Sequence, residues 1–245
     1  MDLSRFFVGT VSLVACFVST ATAASNYTGL VLPFKEVVVS SPVQSTIDSI
    51  ECKEGDTVTR GDTLAQLDNR IEKLDMLRTK AAMEKRQFDF EGTNNLFADN
   101  IISEDEAMKG RIELELARLQ AEQAEEINRL RTITAPISGI IVEKMREVGE
   151  SVTATEPMFR LVDIDKVFVQ FYLPVEDSAL IKVGRELQIK CRAADQDAMF
   201  PGTVEFVDPR VDAASGLIRV KVIVDNPDHA IKPGLRAEIF IPELN

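Results

Sequence analysis

Ser41–Asp68 reads SPVQSTIDSIECKEGDTVTRGDTLAQLD, and 94 residues later, without a gap, Ala135–Val162 reads APISGIIVEKMREVGESVTATEPMFRLV. Six positions are identical: Pro42/Pro136, Ile47/Ile141, Gly55/Gly149, Val58/Val152, Thr59/Thr153 and Leu67/Leu161. Val43/Ile137 and Leu64/Met158 keep their apolar character. The matches fall at a turn glycine and at buried-type positions, where one shared fold would demand them. One half, a few short strands, is too small to bury a core; two halves face to face can. Between them, Asn69–Arg131 is polar, rich in Glu, Lys, Arg, Leu and Ala, and free of proline. That composition predicts a helical hairpin inserted into a small β-domain.

Within each half, β-type residues are punctuated by turn signals. Glu54-Gly55-Asp56 and Arg60-Gly61-Asp62 combine a glycine for positive φ with an aspartate that bonds its own backbone. The order P-x-x-G-x-I, E-G-D-x-V, G-x-x-L-x-x-L resembles half of a biotinyl/lipoyl-like β-sandwich. Ser45 stands where that pattern has its first glycine, whereas the second half keeps Gly139. In carrier domains of that fold, a modified lysine sits on the hairpin joining the halves, and here the helical insert occupies the joint. Lys144 lies inside the second half, away from it.

The 245 residues, 45% apolar and 28% charged, describe an ordinary folded protein of two or three modules. A formal charge of −12 argues against a nucleic-acid partner and against adhesion to anionic lipid. With one histidine, His229, there is no cluster for a metal or a triad. No phosphate loop or zinc spacing occurs either, and the acidic residues sit mainly in turns and on helix faces. The sequence therefore points to no enzyme, cofactor or metal site.

Residues 1–23 have the form of an export signal: Arg5, the apolar run Phe6–Val18, and Ala21-Thr22-Ala23 as an A-x-A cleavage site. The run is too short to span a membrane. A second reading lies inside it, because Leu13-Val14-Ala15-Cys16 has the form of a lipobox in which Cys16 would carry lipid. Cys52 and Cys191 fall in different modules and read as buried small apolar residues, not as a disulfide.

For the insert, Asn69 with Glu72 has capping-box spacing, Asp68 is a second possible cap, and Ser103-Glu104-Asp105-Glu106 forms another box. The turn falls around Asp99–Ile102. Ile71, Leu74, Leu77, Ala81, Phe88 and Leu96 form a loose stripe on the first helix. Met108, Ile112, Leu116, Leu119, Ile127 and Leu130, mostly at three- and four-residue steps, predict one narrow seam on the second. Helices of about 28–30 residues would reach about 42–45 Å. Such a length with one narrow seam predicts a projecting element whose role is reach.

After Asp165, strand patterns at Val167–Leu173, Glu186–Cys191, Thr203–Val207, Leu217–Val224 and Ala237–Ile241 alternate with turns at Pro201-Gly202, Ala214-Ser215-Gly216 and Lys232-Pro233-Gly234. They predict a small barrel or sandwich. The segment Thr28–Val39 is strand-like and broken at Pro33.

Taken in order, the motifs resemble one family. They are Glu54-Gly55-Asp56-x-Val58 with Gly61-x-x-Leu64-x-x-Leu67-Asp68, Ile102-Ser103-x-Asp105-Glu106, and Thr132-Ile133-x-Ala135-Pro136-Ile137-x-Gly139. Phe200-Pro201-Gly202-x-Val204, Asp225-Asn226-Pro227 and Lys232-Pro233-Gly234-Leu235-x-Ala237 follow. The chain is similar to the periplasmic adaptors of tripartite efflux pumps, RND-type among them, also called membrane fusion or HlyD-like proteins. The resemblance implies a mainly β fold with an α-helical hairpin: a lipoyl-like β-sandwich split by a coiled-coil hairpin, then a β-barrel domain. Its domains would be a signal peptide at 1–23, the lipoyl-like domain at 36–68 plus 132–165, the hairpin at 69–131, and the barrel at 25–35 plus 166–245. It further implies a periplasmic, inner-membrane-associated homo-oligomer joining an inner-membrane transporter to an outer-membrane channel. At the hairpin tip it implies Leu96 and Ser103 as channel contacts, with Gly92 where such adaptors often carry arginine. A biotin- or lipoyl-type carrier protein and a coiled-coil envelope scaffold are the alternatives.

The two processing readings are separable. Mass spectrometry of the exported protein is expected to give Ala24 as the first residue with no lipid; a di- or triacylated Cys16, enough for stable membrane attachment, would establish the lipobox instead.

Overall fold

Two long strands, β1 (Ser25–Ser40) and β8 (Pro157–Pro174), run antiparallel through the whole β portion of the protein. The structure is a computed structural model that describes residues 25–193 and 196–241. The signal sequence and Cys16 lie outside the described residues.

The first half of β1 and the second half of β8 belong to a barrel with β9 (Glu186–Ala193), β10 (Gln196–Val207), β11 (Leu217–Asp225) and β12 (Arg236–Ile241). The hydrogen-bonded order β1-β12-β9-β10-β11-β8 closes through β8 back onto β1, so this module presents no free sheet edge. Alternation along each strand sends Val31, Phe171, Ile189, Val220 and Ile239 into one fully buried core. The predicted break at Pro33 does not occur. Pro33 pairs with Val167 and the next paired residue, Lys35, meets Asp163, so the strand continues through a bulge that tolerates proline's missing N–H.

The remaining strands form a sandwich: β2 (Ser45–Ile50), β3 (Thr57–Val58), β4 (Thr63–Leu67), β5 (Thr132–Thr134), β6 (Gly139–Lys144) and β7 (Ser151–Val152), with the end of β1 and the start of β8. The 94-residue repeat carries β2 onto β6 and β3 onto β7, residue for residue, and β4 onto the start of β8. Even the pairings repeat. Ile47 faces Leu67 as Ile141 faces Leu161, and Ser45 faces Val152 as Gly139 faces Val58. Each half thus lends its short strand to the other half's sheet. The repeat also reaches upstream of the stretch in which it is visible, because Val39 pairs with Phe159 as Ile133 pairs with Ala65.

Equivalent positions share burial: Ile47 and Ile141, Val58 and Val152, Leu64 and Met158, and Leu67 and Leu161 all enter one core. Ala65 and Phe159 are equivalent but unequal in volume, so the two halves fill the core jointly. Where the first half has Ser45, its hydroxyl donates to Asp68 O at 3.2 Å. In the second half a Cβ on Gly139 would lie 2.3 Å from the equivalent carbonyl, Val162 O, so glycine is required there. Asp62 accepts from the Thr59 N–H and hydroxyl at 2.8 Å each, and Glu156 does the same for Thr153 at 2.8 and 2.9 Å. Both carboxyls are held below their usual range, first by the backbone N–H they accept.

Cys52 and Cys191 are free and buried in separate cores, and burial pushes both thiols up. Asn226, buried, explains Asp225-Asn226-Pro227. Its Nδ2 donates to Ile164 O (2.8 Å) and Ile231 O (3.0 Å), and its Oδ1 accepts from Ile231 N (2.9 Å). This ties the last barrel loop to the joint between the modules. Nearby, the His229 ring lies 2.8 Å from Asp165. No helix among the described residues is long and apolar enough to cross a membrane.

One mismatch in the repeat is testable. Gly61 turns with φ 98°, and its equivalent Thr155 turns with φ 67°, a left-handed conformation that disfavours a β-branched residue. Thr155→Gly is expected to stabilise the fold by about 0.5–1 kcal/mol and Gly61→Thr to destabilise it by about 1–2 kcal/mol, read from urea midpoints. Two unchanged midpoints would break the equivalence of the turns.

Candidate functional site: the helical hairpin

The hairpin leaves the sandwich where a tight turn would otherwise join β4 to β5. Helix α1 (Arg70–Ala98) runs out and α2 (Glu104–Arg129) returns. Departure and return are adjacent: Leu67 N donates to Arg131 O at 2.8 Å, and Thr132 Oγ1 lies 2.9 Å from Gln66 Oε1. A polar clasp fixes the root. Arg131 donates to Glu72 at 2.6 Å and to Gln44 O at 3.2 Å, with both ion-pair side chains less than one-fifth exposed. Asn69 Nδ2 donates across the seam to Asn128 Oδ1 at 3.2 Å.

The capping box expected for α1 does not form. Asn69 is the cap residue but makes no side-chain cap bond, because its amide is engaged by Asn128; Glu72 is engaged by Arg131. Asp68 takes over, accepting from Arg70 N at 3.2 Å and from the Arg70 guanidinium. Those guanidinium bonds, and next the N–H, hold its carboxyl at about 2, so this cap is intact at neutral pH and is lost only as pH falls below the ordinary carboxylate range toward 2.

The seam between the helices also differs from expectation. On α1 the half-buried residues are Glu72, Asp75, Met76, Thr79, Met83, Phe90 and Thr93, and from Met76 onward they fall at heptad steps. On α2 the inward positions are Ala107, Gly110, Leu114, Ala117, Ala121 and Ala124, of which Ala117 and Ala124 are fully buried. Arg86 crosses to Glu113 at 2.8 Å. The α2 residues read as a seam face outward, with Ile112 52%, Leu116 55% and Leu119 52% exposed, and so does the loose stripe of α1, with Ile71 78%, Leu74 68% and Phe88 77% exposed. Helix α2 carries two stripes on opposite faces. The small one faces α1, since Ala and Gly let the helix axes approach closely and leave Met and Phe of α1 room to fill the gap.

At the tip, Asn100 turns with φ 57°. Asn100 N donates to Phe97 O and Ile101 N to Leu96 O, closing α1. The Ser103 hydroxyl accepts from Glu106 N at 3.3 Å, which is one half of the predicted box; the return bond from Ser103 N to the Glu106 carboxylate is not among the hydrogen bonds of the described residues. Leu96 and Ser103 are both exposed there, and Gly92 has open space around it. Phe97 and Ile101, 40% and 66% exposed, join them; sequence reasoning missed both, although an apolar residue inside a four-residue turn was the available signal. Lys144, the carrier-type lysine considered above, is paired with Glu147 at 2.5 Å and lies in β6, away from the joint.

Comparison with known proteins follows the same layout. The family profile for a "CzcB-like, barrel-sandwich hybrid domain" matches residues 35–163, and that for a "CusB-like, beta-barrel domain" matches residues 166–242. The cobalt-zinc-cadmium resistance protein CzcB of Cupriavidus metallidurans is 24% identical over 89% of this chain and 46% of its own. Multidrug resistance protein MdtE of Escherichia coli is 23% identical over 95% of this chain and 68% of its own. The chain spans about half the length of the first of these curated relatives. A crystal structure of a MacA-MexA chimeric protein, carrying the Pseudomonas aeruginosa MexA α-hairpin domain, shares the fold with a TM-score of 0.78 at 22% identity, over 90% of this chain and 81% of that one. Split sandwich, inserted hairpin, closed barrel and both profile matches agree: this chain belongs to the membrane fusion protein, or adaptor, family of RND-type efflux pumps.

Proposed function

We propose that the protein is a non-enzymatic adaptor that links an inner-membrane transporter to an outer-membrane channel for export of small molecules. It acts in the periplasm, associated with the inner membrane through its partners. The observation that carries this reading is the hairpin. Its small-residue seam is satisfied internally, its root is clasped to the sandwich, and its larger apolar side chains face outward along both helices. An α1 of 29 residues extends about 43 Å at ~1.5 Å per residue. A monomer that left these side chains in water would be unusual; copies set side by side would cover them and make an extended tube. The tip residues Leu96, Phe97, Ile101 and Ser103 would then form the far end, where the channel docks.

Lateral packing is tested by two neighbouring residues. Leu116→Glu alters the outward stripe and is expected to keep helicity and melting unchanged while abolishing cross-linked oligomers. Ala117→Glu puts a carboxylate into the seam and is expected to destabilise the hairpin itself by about 1–3 kcal/mol. Oligomers that survive Leu116→Glu would place the copy interface elsewhere.

Docking at the tip is tested by Ser103→Asp, which preserves a good cap and suits the helix dipole while adding charge at the contact. Folding should be intact and export complementation lost. Normal export by a normally folded Ser103→Asp protein would leave Ser103 as a cap only.

A further inference from the structure

The far end of the hairpin carries one sign of charge. From Gln87 to Met108 the chain has six carboxylates, Asp89, Glu91, Asp99, Glu104, Asp105 and Glu106, and no lysine, arginine or histidine. That run holds half of the chain's formal charge of −12. The first cation on each side is already committed. Lys109 pairs with Asp105 at 2.6 Å, and Arg86 reaches Glu113 at 2.8 Å and Asp89 at 3.8 Å. Arg111 follows more than a helical turn beyond Glu106. Asp99, Glu104 and Glu106 are exposed and have no ion pair among the described residues.

Helix chemistry explains only part of this. Glu104, Asp105 and Glu106 suit the positive N-terminal end of α2. Asp99 is the opposite case. It stands at the negative C-terminal end of α1, whose last turn has no basic residue, so its carboxylate and the helix dipole repel. Sequences break such local rules where function needs it, and here the break adjoins the exposed Leu96, Phe97 and Ile101. Among the described residues no group of acidic side chains, cysteines or histidines could hold a metal ion. A second tip and an anionic bilayer are both repelled. We propose that the surface this tip docks on is a protein's apolar groove edged by lysine or arginine side chains. Leu96, Phe97 and Ile101 enter the groove, and Asp99, Glu104 and Glu106 meet its basic rim. A carboxylate added at Ser103 would be desolvated against the apolar cluster, whereas the rim carboxylates stay in water and steer the approach.

The inference rests on the adaptor reading, in which the tip meets an outer-membrane channel, and one experiment separates their failures. The full chain carrying Phe97→p-benzoylphenylalanine is photo-cross-linked in its own cells, and the captured peptide is sequenced by mass spectrometry. It is expected to be a channel segment that carries lysine or arginine. Asp99→Lys should cut the adduct yield at least ~10-fold with melting unchanged or raised, because lysine suits a helix C-terminus. Asp99→Asn should cut it about 3-fold. Changing the captured basic residues to glutamate should restore the yield with Asp99→Lys. Glu104→Gln combined with Glu106→Gln serves as the second variant should Asp99→Lys fail to fold. A captured channel segment without basic residues, or undiminished yield with folded Asp99→Lys, overturns the basic rim and leaves the adaptor reading standing. Capture of a second copy of this chain, or of lipid, overturns the inference as well. No adduct from a protein that still exports overturns docking at this tip, and the inference with it.

Discussion

Neither half of the sandwich can complete its own sheet. Val58 pairs with Gly139 and Val152 with Ser45, so each short strand is closed by the other half. Gly55 N donates to Ile141 O and Gly149 N to Ile47 O, fixing the exchange at both crossings. This mutual closure lets a long insert enter the chain without opening the domain. The sandwich is stitched by pairings remote from the β4–β5 joint, and the insert departs and returns within one backbone hydrogen bond, Leu67 N to Arg131 O. Two helices therefore replace a turn with little loop-closure penalty, because their ends are already together.

The insert then faces a problem of allocation. An isolated antiparallel pair gains little from propensity and depends on its packed face. Here that face is built mostly from Ala and Gly on α2, with one leucine, Leu114, and is supplemented by polar links: Arg131–Glu72 at the root and Arg86–Glu113 further out. Apart from Leu114, the Leu and Ile residues of α2 that would make a stronger internal seam, Ile112, Leu116, Leu119 and Ile127, lie outside it. Their placement on the opposite face is the feature on which the proposed side-by-side packing of copies rests.

Much of this was legible in the sequence, for definite reasons. The repeat compares the chain with itself, so strand register could be read from Gly55/Gly149 and Val58/Val152 without knowing any contact, and the Gly-Asp turns and the Ser103 cap are local chemistry. What failed was non-local. Helical periodicity located the stripe of larger residues on α2 and assigned it to the seam; the stripe of mostly small residues that meets α1 was not read, because Ala and Gly carry little hydrophobic signal. Asn69 has the spacing of a cap, yet its amide is claimed by Asn128, far along the sequence. Pro33 signals a break by itself, but its partner Val167 keeps it in the strand. At the tip, Leu96 and Ser103 were implied by the family resemblance, whereas Phe97 and Ile101 were passed over although Ile101 lies inside the turn read from the sequence.

The same reasoning locates the softest section of the β framework. Along β1 and β8 the ladder is regular within the barrel and nearly so within the sandwich. Between Pro33–Val167 and Lys35–Asp163, three residues of β8, Ile164–Lys166, face the single residue Phe34. A stretch with fewer ladder bonds opens at lower free energy than its flanks. Asn226 sits on this stretch, its N–H bonded to Asp165 O and its amide to Ile164 O. The barrel's last loop thus supplies hydrogen bonds to β8 where its pairing with β1 lapses, so the joint between the modules is held by one buried asparagine as well as by two long strands.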